Sequence, residues 1–552
     1  METSPLPIAT VAAAAGLDPD DVIPYGHHAA KIRPGVAESR PPGAVVVVTA
    51  LTPTPLGEGK TTTAIGLAQG LARIGRRPVV TLRQPSLGPT FGIKGGGAGA
   101  GRSQVIPADL LNLHLTGDFH AVTAAHNLLA AMLDNHLHHG NLLDVEAHSV
   151  TWPRVLDMND RALRSIVIGL GGRADGVPRQ ASFEITAASE VMSVLALARD
   201  AGDLRDRLGR IVVGYRRNGV AVTAEDLAAA GAMAAILRDA VLPNLMQTVE
   251  GVPVLVHTGP FGNISIGCSS VIADVVGARV GDILITEAGF GADLGAERYV
   301  NIKSRVTGLV PAVALVVVTV RALKAHSGRF RVTAGRPLPE AMLDEDPGAV
   351  TEGLHNLAHH VDLVRAWGIT PVIAINAFPQ DHPSEYAVIE RFAAERGVRV
   401  ALTSHVTEGG AGAEALARVV AEAVAGPPPS LRRDYDLDDA LVDKLAAVAT
   451  RVYGAAGLDL SREAQRELDR LSGLGYGGLP VVLAKTHLSI THAAGVAPEP
   501  GWRLPVREVR LAAGAGYVYA LCGTISTMPG LPSHPNAERV DVEADGRITG
   551  LV

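Results

Sequence analysis

Gly59, Lys60, Thr61 and Thr62 stand in a row, directly after the loop Thr54-Pro-Leu-Gly-Glu58 and directly before a run of helical periodicity that reaches Ile74. The loop follows a β-branched run at residues 45–49, which reads as a fully buried strand. A chain cradles phosphate with this order of strand, glycine loop, Gly-Lys-Thr and helix. Free N–H groups at the helix start and the helix dipole attract an anion. A lysine adds a point charge for the β- and γ-phosphates, and a threonine hydroxyl reaches Mg²⁺. Thr54, Pro55, Leu56, Gly57, Glu58, Gly59, Lys60 and Thr61 are therefore the expected nucleotide-binding residues, with Thr61 also the Mg²⁺ ligand. Thr54 stands where the usual G-x-x-x-x-G-K-[ST] spacing has its first glycine.

Other residues with chemistry follow strand-like runs. Arg83 leaves the run at 78–82, where a guanidinium faces either a phosphate or carboxylate, or simply solvent in an X-Pro turn. Six of the twelve residues from Phe91 to Arg102 are glycine. Such a loop lets backbone amides approach an anion and can close as a lid, and Lys94, Gly95 and Gly96 lie inside it. Asp118, in Thr-Gly-Asp-Phe-His120, reads as a carboxylate for Mg²⁺, a monovalent cation or a hydrogen-bond network. Glu287 and Asp293 are acids at another strand exit, suited to a metal-nucleotide. Phe378 follows a further strand and could stack on a flat ring or belong to ordinary core. The histidines around His120 to His139 match no transition-metal spacing. Lysine is scarce, seven residues among the 49 basic ones. Its retention at Lys60 and Lys94 points to phosphate, because Lys and Arg are not interchangeable there, whereas Lys31 and Lys444 read as chance placements.

Nine buried-strand runs, at 45–49, 78–82, 165–169, 211–214, 254–257, 283–286, 315–320, 372–376 and 398–403, alternate with Ala-rich helical patterns such as 121–133, 224–240 and 352–367. This is an α/β signature, a P-loop NTPase-like parallel sheet with helices on both faces and ligands at the carboxyl ends of the strands. The expected division is 1–150 for the nucleotide part, 151–250 for a second α/β part, 251–425 for the rest of the core with acceptor loops, and 426–552 for a smaller domain after Gly-Pro-Pro-Pro. A chain of 552 residues, 47% hydrophobic and 19% charged, with net charge −7, is globular and gives no reason to expect nucleic acid. The apolar run at 309–320 is too short to span a bilayer. Two distant cysteines and an N-terminus without a basic leader fit a cytoplasmic protein.

The chain resembles the formate–tetrahydrofolate ligase family over almost its whole length. The resemblance is carried by the TP-x-GEGKTTT loop at 54–63, R-x-PSLGP at 83–89, FGIKGG at 91–96, NLH-x-TGDFHA, NLLAAMLDNH, TEAGFGADLGAE, TVRALK, VREVRLAAGAG at 506–516 and TMPGLP at 527–532. It implies that formate attacks the γ-phosphate of MgATP to give formyl phosphate, and that the amine of tetrahydrofolate then takes the formyl group. It also implies that Arg83 grips the transferring phosphoryl as a catalytic residue, that Lys94, Gly95 and Gly96 shield the anhydride, and that Phe378 lines the acceptor pocket. A homotetramer and stimulation by monovalent cations are further implications. Gln84 stands where the family usually has Glu, Ile266 where it has His, Val406 where it has the Trp opposite Phe378, Glu408 where it has Lys, and His487 and Leu488 where it has Gln and Tyr. Most of these changes fall on the acceptor side. Two competing readings are a relative that formylates a different amine, and a P-loop regulatory ATPase.

Overall fold

The computed structural model describes residues 4–36, 39–94, 97–333, 337–494, 499–523 and 525–551, without the Lys94 side chain. Its centre is a twelve-stranded sheet. In chain order the strands are β1 (Val22–Pro24), β2 (Ala30–Ile32), β3 (Ala44–Ala50), β4 (Pro78–Leu82), β5 (Gly99–Ala100), β6 (Ser103–Ile106), β7 (Asn244–Thr248), β8 (Pro253–Val256), β9 (Ile283–Glu287), β10 (Pro311–Val318), β11 (Thr370–Asn376) and β12 (Arg399–Thr403). The spatial order is β1-β2-β7-β8-β4-β9-β3-β10-β11-β12, with β6 pairing β7 and β5 pairing β6. From β8 to β12 every pairing is parallel. β1, β2, β6 and β7 extend the other end antiparallel.

The parallel strands are continuous apolar runs because both faces are covered. Val46 and Val48 point to a core shared with Leu67 and Leu71 of α1 (Lys60–Arg73), and with Leu416 and Val420 of a helix at the far end of the sheet sequence. Val45 and Val47 point the other way, into a core shared with Leu357, Val361 and Val364. This alternation is the strand period of two. Each such valine contributes roughly 1.5–3 kcal/mol over an exposed one. The other helices used below are α2 (Asp118–His138), α3 (Val320–His326), α4 (Pro347–Ala366) and α5 (Glu414–Val424). A three-stranded sheet of Val481–Ala484, Tyr517–Leu521 and Glu508–Ala512 follows, and its Leu483, Val518 and Ala520 join the core that holds Val45 and Val47.

Two strand expectations need correction. The run at 165–169 forms only Ile166–Ile168, paired with Arg179–Ala181 in a separate hairpin, and that at 211–214 forms Val212–Tyr215, paired with Ala221–Thr223. Neither joins the central sheet. In the first, Val167 is exposed, so an apolar run here reflects local pairing rather than burial on two faces.

Candidate active site

The carboxyl ends of β4, β9 and β3, three neighbouring strands, carry Arg83, Glu287 and the glycine loop. The loop is shaped by two left-handed glycines, Gly57 and Gly59, each with φ +74°. A Cβ at Gly59 would lie 2.5 Å from Asn376 Nδ2, so only glycine fits between β11 and the start of α1. Gly59 is also the residue before the first turn of α1 and has no side chain with which to cap it, which leaves the helix amides facing the loop. Lys60 opens that helix and is partly buried.

Glu58 behaves differently from its neighbours. It is 1% exposed, and its carboxylate accepts from Thr54 N (2.8 Å), Thr54 Oγ1 (2.9 Å) and Thr319 Oγ1. Asn376 Nδ2 donates to the Glu58 carbonyl at 3.1 Å. The Glu58 side chain thus braces the loop from inside. Upstream, Asn356 and His360, four residues apart on the buried face of α4, bond Thr52 at 3.0 Å each, and His326 Nε2 meets Thr52 O at 2.7 Å. Burial lowers the His360 pKa to about 3, so it is a neutral hydrogen-bonding group. His405, whose pKa burial lowers to about 4, packs where α1 has Gly66 in place of a larger residue. The i,i+4 pair of polar residues within an otherwise apolar helical face was the available signal for Asn356 and His360.

Thr61 Oγ1 donates to Glu287 Oε2 at 2.9 Å, and the other Glu287 oxygen faces Arg83 Nη2 at 3.9 Å. Arg83 Nη1 donates to Pro260 O at 3.3 Å, and its buried Nε meets no acceptor among the described residues. Close by, two non-glycine residues take left-handed backbone, Thr258 with φ +54° after β8 and Phe290 with φ +65° after β9. Such strain gathers where surrounding structure holds a residue for a purpose. Gln84 is buried, donates its backbone N–H to Thr258 O at 2.7 Å, and leaves Oε1 without a partner among the described residues.

Asp118, the first residue of α2, is buried, and both its oxygens are bonded within the protein. Lys31 Nζ lies 2.6 and 2.8 Å from them, Asn244 Nδ2 at 2.8 Å and Thr116 Oγ1 at 3.1 Å. Of the three expectations for Asp118, the hydrogen-bond network is what the geometry displays, with the Lys31 ammonium on both carboxylate oxygens. Lys31 and Lys444 are likewise not chance placements. Lys31, Lys303, Lys324, Lys444 and Lys485 are all buried. Four of them pair with Asp118, Asp274, Glu385 and Asp293, while Lys444 donates to the carbonyls of Gly477 and Leu479. Each ammonium brings three rotatable donors on a narrow four-carbon stem to its buried acceptors.

In the glycine-rich loop, Gly95 and Gly96 lie outside the described residues, and of Lys94 only the backbone is described. The far half is fixed: Gly97 N donates to Asn112 Oδ1 at 2.7 Å, and a Cβ on Gly101 would fall 2.2 Å from Val406 O. Phe378 follows the end of β11, and Val406 lies in the helical turn His405–Glu408 just past the neighbouring β12, where Asn376 pairs with Thr403. Arg321, on the first turn of α3, holds its guanidinium 4.0 Å above the Phe378 ring and donates to Gly57 O at 2.7 Å. Nothing in the local spacing announced this residue. Ile266 is fully buried in core, and His487 stacks on Phe290 at 4.3 Å.

The strand ends can therefore offer an anion a helix start, a lysine and an arginine, and offer a divalent cation a hydroxyl and a carboxylate that already touch. A family model described as formate--tetrahydrofolate ligase matches residues 1–552. The chain is 58% identical over 549 residues to a formate--tetrahydrofolate ligase of Cutibacterium acnes, covering 99% of this chain and 97% of that protein. It is 58% identical over the same length, with the same coverage, to the enzyme of that name from Saccharopolyspora erythraea, and 55% identical over 550 residues, 99% and 97%, to that of Roseiflexus sp..

Proposed function

The chain belongs to the formate–tetrahydrofolate ligase family, and from that premise we propose that its ATP-dependent joining of formate to tetrahydrofolate is performed at the ends of β3, β4 and β9. The observation that carries the proposal is the contact series Thr61–Glu287–Arg83, which brings the end of the phosphate loop and a cationic fork to one carboxylate.

The loop from Thr54 to Thr61 holds the triphosphate in a P-loop NTPase-like placement, with its amides and Lys60 on the β- and γ-phosphates. Magnesium suits Thr61 and Glu287, because Mg²⁺ takes one or two protein oxygens and fills its shell from phosphate and water. A formate oxygen attacks the γ-phosphorus, the bond to the β–γ bridging oxygen breaks, and ADP leaves. Arg83 is placed to neutralise the oxygens of the moving phosphoryl group. The formyl phosphate so formed is a mixed anhydride open to hydrolysis, and the loop with Lys94, Gly95 and Gly96 keeps water away. The tetrahydrofolate amine, placed near Phe378, attacks the formyl carbon. The carbon–oxygen bond to phosphate breaks, phosphate departs, and the amine proton is lost to solvent. A cytoplasmic homotetramer is part of the same reading, as are monovalent-cation stimulation and the four-part division at 150, 250 and 425. No helix of the described residues is long and apolar enough to cross a membrane.

Incubation with formate, MgATP and hydroxylamine, without any pterin, tests the first half. Formyl hydroxamate and ADP in equal amounts support it. ADP release that ignores formate would favour a regulatory ATPase instead.

A further inference from the structure

Arg321 joins two regions that the reaction uses in succession. Thr319 fixes the start of α3 by accepting from Ala322 N at 3.1 Å, and its hydroxyl bonds the Glu58 carboxylate that braces the phosphate loop. Two residues on, the Arg321 guanidinium donates to the carbonyl of Gly57, a left-handed glycine of the same loop, and sits over the Phe378 ring, 4.0 Å from its centroid. Its Nε is buried with no acceptor among the described residues, so the group is held by one carbonyl and one ring face. Phe378 is itself tied down, its N–H donating to Asp381 Oδ2 at 2.9 Å.

Resting on the functional reading above, we propose that Arg321 is a positioning residue that couples occupancy of the nucleotide loop to the acceptor platform at Phe378. The Gly57 peptide is the link between the two. Phosphate arriving at the loop draws the amides of residues 57–61 toward it, and the Gly57 carbonyl reorients with its peptide plane. The guanidinium bonded to that carbonyl must follow, and it can slide across the face of Phe378 because cation–π attraction is broad in direction where the hydrogen bond is narrow. The ring therefore presents a different surface to a flat heterocycle when nucleotide is bound. The chemical use is timing, since an acceptor platform that improves once ATP is in place shortens the life of a labile acyl phosphate.

Coupling of this kind is a ratio of affinities and is reciprocal. The test is tetrahydrofolate binding to the whole protein, titrated by intrinsic fluorescence with and without saturating MgADP. The natural protein is expected to bind tetrahydrofolate about five-fold or more tightly with MgADP, in the range of ordinary allosteric coupling. Arg321→Gln should reduce that factor below about two, and Phe378→Leu, which keeps the bond to Gly57, should do the same. Arg321→Lys keeps the charge but, with one nitrogen in place of the guanidinium fork, cannot both donate to Gly57 and hold its charge over the ring, so it should also lose the coupling. The proposal is overturned by a natural protein whose tetrahydrofolate affinity ignores MgADP, or by variants that keep the full factor. A natural protein that binds neither ligand would instead defeat the functional reading, which separates the two failures.

Discussion

At the ends of β3, β4 and β9, charged side chains are held by one another and by buried loop residues: Thr61 on Glu287, Glu287 facing Arg83, and Glu58 locked beneath the loop. At the ends of β11 and β12 the candidate acceptor groups are rings and short aliphatic chains, Phe378 and Val406 both partly exposed, with a guanidinium on one ring. On the function proposed above, the difference follows from what each half-reaction needs. Phosphoryl transfer is accelerated by charge fixed in advance, so displacement of a cation forfeits most of its effect. A flat acceptor is held by stacking and burial, whose contributions are smaller and redundant. Of the positions where the sequence departs from the resembled family pattern, Val406 and Glu408 follow β12, whereas Gln84 adjoins Arg83 and His487 stacks on Phe290 just past β9.

That contrast can be broken in several ways. Lys60→Ala should give the largest loss, about a thousand-fold or more in formate-dependent ATP turnover, measured as ADP release. Arg83→Ala should keep nucleotide binding by equilibrium titration while formyl transfer drops on the order of 10²–10³-fold; a normal rate would remove Arg83 from the chemistry. Glu58→Ala leaves the Thr54 amide and Thr319 hydroxyl unpaired in a buried place. It should therefore destabilise the loop by about 1–3 kcal/mol per orphaned group, read as a lower thermal midpoint together with weaker MgADP binding. Val406→Trp supplies the ring that the family resemblance implies opposite Phe378 and should lower the KM for tetrahydrofolate by a factor of roughly 2–10, leaving the KM for ATP alone. An unchanged KM would show that the missing ring is not what distinguishes the acceptor side.

The smallest effect is that of pH. His360 and His405 are neutral when folded, their pKa values lowered to about 3 and about 4 by burial. The unfolded chain takes up protons near the ordinary histidine value of 6.5, which the folded one refuses. Their contribution is complete above that value and is lost as pH falls toward 4 and 3. Both histidines pack on the phosphate side, against Thr52 and α1. Amide exchange corrected for intrinsic rate should show residues 51–63 losing protection between pH 7.5 and 5 more than residues 480–490 do. Equal losses would contradict the assignment.

The parallel half of the sheet was legible because strands buried on two faces must be nearly all apolar, and 78–82 was read to the residue. The antiparallel end was not, since β7 is Asn-Leu-Met-Gln-Thr, a mixture with no period that singles out a strand. Lys60, Thr61, Arg83 and Glu287 were visible one strand exit at a time. Their meeting was not, because the Thr61–Glu287 bond spans 226 residues and the Arg321–Gly57 bond 264. Glu58 looked like a loop residue facing ligand, and only its partner Thr319, 261 residues on, shows that its carboxylate faces inward. Lysine scarcity was a sound observation read too narrowly, for most of the few lysines serve buried carboxylates.

On the proposed mechanism, formate becomes an acyl phosphate before the amine receives it. Formate labelled with ¹⁸O in both oxygens, incubated with MgATP, tetrahydrofolate and the protein, tests it most directly, with the released phosphate examined by mass. One ¹⁸O is expected in each phosphate, carried over when the carbon–oxygen bond breaks. Phosphate without label, formed alongside formylated pterin, would contradict it.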